Sequence, residues 1–311
     1  MATTKSVRSV LAAVADPLAS GQVAARKAVE VAWLFGADVV LYHACYEPAL
    51  SGGAFFDSAQ LSAARRDFVA RATQGLNDVA GALGASELSI RVRAEWQRTI
   101  PEAIAKTAVR EGADLVVAEP RYRSTRRHRG LSRIDWEVAR LCPVPLLLAR
   151  TAAPYSKPKV LAAVDPGAHG LRVSSLDVGI VGMAAAIASA TSGTVRIVHS
   201  MRDPSLASAI RPAAARRERQ RIKSMVRHLA RDAGLAAQDV RMTDGDPVEA
   251  LLDAVTKEDA DILVMGTIVR GPVRQLLIGS TTEQLMHVAP CDLLLVRPNS
   301  FRLAGRAGSR N

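Results

Sequence analysis

The chain repeats itself. SVLAAVADP (9–17) returns as KVLAAVDP (159–166), VVLYHACYEP (39–48) as VRIVHSMRDP (195–204), and CPVPLLLAR (142–150) as APCDLLLVR (289–297). From about residue 95 the two copies align without a gap at an offset of 147, so that GADLVVAE (112–119) falls on DADILVMG (259–266) and PEAIAKTA (101–108) on VEALLDAV (248–255). A duplication of this size constrains both halves at once, because whatever one copy can build the chain must build twice. The prolines of TAAPYSKPK (151–159) suit a linker. The expected division is therefore a first domain over 1–152, a second over 155–300, and a basic tail over 301–311.

Within each copy, short β-branched runs alternate with helical patterns. Strands are predicted near 7–14, 38–43, 88–94, 114–119 and 144–149 in the first copy, and near 158–164, 194–199, 238–242, 261–265 and 292–296 in the second. Between them, Leu61, Phe68, Ala72, Leu76, Val79 and Leu83 recur at helical spacing, as do Ile222, Met225, Val226, Leu229 and Ala233. Five strands alternating with four helices imply an α/β fold: two tandem Rossmann-like domains, each a five-stranded parallel sheet flanked by helices. The fifth strands, VPLLLA and DLLLV, are continuously apolar and would be aggregation-prone as free edges. Pairing of the two copies there, as an intrachain pseudo-dimer, is expected, and further homodimerisation stays open.

With 49% apolar and 23% charged residues the chain belongs with globular proteins. Its three cysteines, Cys45, Cys142 and Cys291, are far apart and form no CxxC pair, which suggests a reducing compartment without zinc or a disulfide framework. The run VLAAVA after Lys5 and Arg8 is too short for a signal peptide and suits a buried first strand. The longest uncharged stretch, 178–195, is rich in Ala, Gly, Ser and Thr and reads as a buried helix with more than one covered face, not a membrane span. A cytoplasmic protein with no membrane span is expected.

GTIVRGPVRQLLIGS (266–280) follows a strand-like run and ends in Gly-Ser where a helix-like run begins. That is where parallel α/β proteins hold phosphate, because backbone N–H groups and a helix N-terminus point at the anion. Together with the order strand-Asp, strand-His and GDP before the third helix, this stretch resembles the universal stress protein superfamily, in particular its tandem two-domain, E-type members. The resemblance covers residues 5–300, and GTIVRGPVRQLLIGSTTEQLMHVAPCDLLLVRP is its most specific piece.

The resemblance implies an ATP site in the second copy. The glycine loop of nucleotide-binding members maps onto Gly266, Val269, Gly279 and Ser280, with Met265 before it and Thr281 and Thr282 after it. Asp165 corresponds to the aspartate against the adenine and Ser200 to a contact after strand two. Val269 departs from the pattern, since a β-branched residue replaces a turn glycine, and the loop reads either as a nucleotide cradle or as a retained but empty structural turn.

In the first copy EPRYRSTRRHRGLSR (119–133) stands in place of that loop, with Glu119 for the first glycine, Tyr122 for the second and Ser132-Arg133 for Gly-Ser. A nucleotide site of the family type is not expected there. The replacement holds Arg121, Arg123, Arg126, Arg127, Arg129 and Arg133, which read either as an anion patch or as a solvated loop. A second basic set lies on the helix over 216–231. Only 4% of residues are aromatic, so base stacking has few platforms and specific nucleic-acid binding is not expected.

His43 and His199 occupy matching strand ends and read as structural, with no metal role. Asp16 and Asp165 suit either loop capping or, for Asp165, a ligand. No GxSxG, HExxH or GxxxxGK[ST] is present, and no catalytic residue is assigned. The expected function is a non-catalytic stress-response module that binds a nucleotide or an unidentified protein partner. A slow ATPase using the same pocket and a basic RNA- or anion-binding scaffold are the alternatives.

Overall fold

The computed structural model describes residues 7–52, 57–120, 122–125, 128–166, 173–201, 210–267 and 278–298. Val269, Arg121, Arg126, Arg127 and the tail 301–311 lie outside the described residues.

The chain divides into two compact units between Pro154 and Tyr155. The first holds β1 (Ser9–Ala13), α1 (Val23–Phe35), β2 (Asp38–Cys45), α2 (Ser58–Ala82), β3 (Ile90–Trp96), α3 (Ile100–Arg110), β4 (Leu115–Ala118), β5 (Tyr122–Thr125), β6 (His128–Leu131), α4 (Arg133–Leu141) and β7 (Leu146–Leu148). The second holds β8 (Lys159–Ala163), α5 (Ser175–Thr191), β9 (Thr194–Met201), α6 (Pro212–Asp232), β10 (Val240–Asp244), α7 (Pro247–Glu258), β11 (Ile262–Gly266), α8 (Ser280–Val288) and β12 (Asp292–Val296).

In the first unit β1 pairs in parallel with β2 and β4, β2 continues to β3, and β4 to β7, which gives the order β7-β4-β1-β2-β3. The second unit has the same order, β12-β11-β8-β9-β10. Parallel strands cannot be joined by tight turns, so each crossover carries a helix and the central strands are covered on both sides. Their composition follows: β4 and β12 are buried at every position. The outer strand β3 instead alternates, and Arg91 and Arg93 on its exposed face both reach Glu111 at 2.8 Å. Charges on an outer strand discourage pairing with another chain.

Because the chain leaves the first strand of each unit in opposite directions, a crevice opens beyond the carboxyl ends of strands one and four, between β1 and β4 and between β8 and β11. One element was not expected. Between β4 and α4 the arginine-rich segment forms an antiparallel hairpin, β5 with β6, pairing Tyr122 with Leu131 and Thr125 with His128. The uncharged stretch is a helix as expected, though it runs from Ser175 to Thr191 and Thr194 already belongs to β9; Ile180, Val181, Met183, Ala184, Ile187 and Ala188 are all buried. Among the described residues no helix is long and apolar enough to cross a membrane.

Lys27 in α1 is a charged residue within the core of the first unit. It is fully buried, and its ammonium donates to Glu30 at 3.0 Å and to the Ala153 carbonyl, which anchors the end of the first unit on its own helix. A buried ammonium is tolerated only with such partners.

Candidate functional site

In the second unit β8 lies between β9 and β11, so the residues that end these three strands line up along one crevice. Asp165 is two residues beyond β8 and exposed. Its backbone N–H donates to Asp177 Oδ1 at 3.0 Å, and Asp177 is buried in the first turn of α5. The Asp165 carboxylate itself takes no hydrogen bond among the described residues, in contrast to Asp16 in the first unit, whose Oδ1 accepts from the Leu18 N–H at 2.9 Å. Capping thus accounts for Asp16, whereas residue 167, where the equivalent partner of Asp165 would fall, lies outside the described residues.

Asp177 was not singled out from sequence. It is the second half of a capping box with Ser174: the Ser174 hydroxyl donates to Asp177 Oδ2 at 2.7 Å and accepts from the Asp177 N–H at 3.1 Å. The legible signal was the S-x-x-D spacing of Ser174 and Asp177 before an apolar run.

Gly266 ends β11. A Cβ there would lie 2.6 Å from Cδ2 and 3.0 Å from Cγ of Leu176, so any side chain at this position would have to displace Leu176 of α5. The Gly266 carbonyl accepts from the buried Thr282 hydroxyl at 2.9 Å, which ties the end of the strand to the first turn of α8. Met265 is buried beside Leu295 and belongs to the core. Ser200 lies within β9, and its hydroxyl donates to the Gly245 carbonyl at 3.0 Å. Gly245 holds φ +115°, a conformation that favours glycine, and the next residue, Asp246, caps α7 by accepting from the N–H groups of Val248 and Glu249.

The N-terminus of α8 completes the crevice. Gly279 is the N-cap residue with φ −65°, and no side chain caps the helix. Ser280 is exposed and Thr281 half-buried. Among the described residues the first-turn N–H groups therefore have no intrahelical acceptor and no capping oxygen, and the helix dipole adds partial positive charge.

At the matching place in the first unit, the N-cap is Ser132. Its hydroxyl donates to Asp135 Oδ2 at 2.9 Å, its N–H donates to the same oxygen at 3.1 Å, and both residues are buried. The N-terminus of α4 is closed by a carboxylate of its own chain. The crevice beyond β1, of about 520 Å³, is also lined by Asp16 and by Glu119, which replaces Gly266. Two further carboxylates in that crevice disfavour an anionic ligand.

The two histidines have matching structural tasks: Nδ1 of His43 lies 2.9 Å from the Val14 carbonyl and Nδ1 of His199 lies 2.9 Å from the Val164 carbonyl, which holds the loop after each first strand. Of the arginine set, Arg123 and Arg129 fall on the hairpin, opposite Gly130 and Ser124, and Arg133 starts α4 and pairs with Glu137 at 2.8 Å.

Two doubly wound parallel sheets in tandem, each with its crevice at the strand-order switch, define a two-domain α/β protein built to present loops at the carboxyl ends of its strands. The universal stress protein family model matches residues 6–150 and again 159–297, and the chain belongs to that family. It is 30% identical over 145 residues to a universal stress protein of Thermus aquaticus, covering 44% of this chain and 97% of that protein. Over 304 residues it is 22% identical to universal stress protein E of Escherichia coli K12, covering 93% of this chain and 94% of that one. Among solved structures, a protein of unknown function from Pseudomonas aeruginosa PAO1 shares the fold with a TM-score of 0.72 at 24% identity, covering 94% of this chain and 93% of its own. A universal stress protein from Archaeoglobus fulgidus shares it at 0.67 and 16% identity, covering 94% and 98%.

Proposed function

We propose that this member of the family is a binding module of the stress response that takes a nucleotide such as ATP in its second domain only, with no turnover. The observation that carries this reading is the difference between the two helix N-termini: α8 begins at an uncapped glycine, whereas α4 begins at a buried Ser132–Asp135 box. The duplicated fold imposes the same packing on both, so an uncapped helix end in one copy alone marks a place kept for another acceptor. Asp165, exposed beyond the end of β8, would face the base or ribose, and the N–H groups of Ser280 and Thr281 would face phosphate. Gly266, Met265 and Thr282 support the cradle without touching the ligand, and Ser200 fixes the neighbouring loop through Gly245. A group poised to activate water would have to sit beside the phosphates; the first turn of α8 carries hydroxyls and the exposed Glu283, and the chain has no hydrolase signature, so the reading is binding without hydrolysis.

The test is calorimetric titration of Mg-ATP into the full chain and into Gly279→Asp. A carboxylate at that N-cap satisfies the helix and complements its dipole, so the variant should unfold at the same or a higher temperature, gaining roughly 0.3–1 kcal/mol, while losing ATP. Binding that survives in the variant, or no heat with the unaltered chain up to about millimolar ATP, overturns the reading. Phosphate release in step with binding would make the protein a slow ATPase instead.

A further inference from the structure

Helix α6 carries a charge pattern that neither the fold nor the crevice uses. Its buried side is formed by Val226, Leu229 and Ala230. Plotted at 100° per residue, Arg216, Lys223, Arg227 and Arg231 fall within about 80° of one another on a different side, with Gln220 and Ser224 in the same row. Gln220, Lys223, Ser224, Arg227, Arg231 and Leu235 line an open groove of about 690 Å³. Fifteen residues separate Arg216 from Arg231, so the row is roughly 22 Å long. Among the described residues Arg216, Lys223 and Arg227 form no ion pair with a carboxylate, although the same helix uses Arg219 to hold Asp244 at 2.6 Å.

The duplication supplies an internal control. Helices α2 and α6 end in the same way, with Gly84 at φ +61° and Gly234 at φ +76°, which aligns them at an offset of 150. At that offset the buried residues correspond, Leu76 to Val226 and Val79 to Leu229. Three of the four cations of the row do not: Thr73, Asn77 and Gly81 stand where α6 has Lys223, Arg227 and Arg231, and only Arg216 has a basic counterpart, Arg66. Packing this helix against this sheet therefore does not require the cations. An unpaired row of like charges is mutually repulsive, and its complement is a linear anion.

The chemistry of the groove narrows the class of anion. Among the described residues of the second domain Tyr155 is the one aromatic, and it does not line the groove, so nucleic-acid bases have nothing there to stack on. The row also lacks the exposed Trp, Phe or Leu side chains that insert an amphipathic helix into a bilayer. Guanidinium and ammonium groups with Gln and Ser between them match a chain of phosphates that carries charge and acceptor oxygens and nothing else. We propose that the α6 groove is a binding site for a linear phosphoanhydride polymer, inorganic polyphosphate, recognised by charge and hydrogen bonds along the row.

The probe is long-chain inorganic polyphosphate, titrated into the full chain at several salt concentrations. Poly(U) RNA and vesicles of phosphatidylglycerol in phosphatidylcholine are run beside it at matched phosphate. Lys223→Gln/Arg227→Gln removes two charges from the row, and Arg66→Gln/Arg71→Gln removes two exposed charges from α2 as a control of equal net charge. The expected result is polyphosphate binding that the α6 pair weakens about tenfold or more, with a salt slope smaller by about 2, while the α2 pair and the unfolding temperature hardly change. Equal losses in both pairs would show attraction to net charge alone and overturn the site. Tighter binding of poly(U) or of the vesicles than of polyphosphate overturns the choice of ligand, and so does the absence of polyphosphate binding at low salt.

Discussion

Replacing Gly266 by alanine separates packing from ligand recognition, because the added methyl meets Leu176 before it could meet a bound phosphate. Gly266→Ala should destabilise the second domain by about 1–3 kcal/mol, and Leu176→Ala in the same chain should recover part of that loss. Additive losses in the denaturation cycle would refute the contact. The residue scale is also where the sequence was least informative. The spacing of Gly266, Gly279 and Ser280 was legible from the loop alone, but their different tasks were not: Gly266 answers to a side chain from α5, far away in the chain, and Gly279 answers to the absence of a cap. Asp16 and Asp165 end equivalent strands, yet only in three dimensions does Asp16 turn its carboxylate to the Leu18 N–H, while the Asp165 N–H is held by Asp177 from α5.

At the scale of elements, period and turn chemistry carried most of the information. Continuous apolar runs located the central strands because both of their faces are covered. The outer strands β3 and β10 lie about two residues later than expected, since their exposed, charged faces blur the apolar pattern. The hairpin β5–β6 had no apolar alternation to reveal it, and its arginines suggested a loop. Long-range ion pairs were equally hidden. Glu258, at the end of α7, accepts from Arg196 on β9 and from Arg241 on β10, the latter at 3.1 Å and also bonded to Asp253 at 3.0 Å. Hydrogen bonding by Arg196 holds the Glu258 carboxyl below the usual carboxylate range. Such a group stabilises the fold fully above the unfolded carboxyl pKa, and that contribution disappears as the pH falls through the depressed folded value. Glu258→Gln should therefore unfold about 1–3 kcal/mol more easily at pH 7, and the gap to the unaltered chain should close in acid. A gap in denaturant midpoint that stays constant from pH 7 to below pH 3 would contradict the linkage.

For the molecule as a whole, the duplication was the most legible feature, and it carried family, fold and the inequality of the two loops together. The cysteines illustrate the limit of that view: their spacing excluded a CxxC site, whereas their burial is a property of the packed domains. Cys45, Cys142 and Cys291 are all buried, and burial pushes the Cys45 thiol up to about 11. The native chain should resist a thiol-modifying reagent at pH 8 that reacts with three groups after unfolding, as counted by absorbance or mass. Rapid labelling of Cys45 in the native chain would show that β2 opens far more readily than its packing implies.

The Asp135 carboxylate at the start of α4 gives the first domain a permanent negative occupant, joined to it by the chain and independent of concentration. Among its described residues the second domain has no such occupant, so under the proposed reading its stability must rise with the surrounding nucleotide pool while that of its twin stays level. One ancestral unit, copied once, would then serve both as gauge and as reference: heating the protein in increasing ATP should move one unfolding step and leave the other in place.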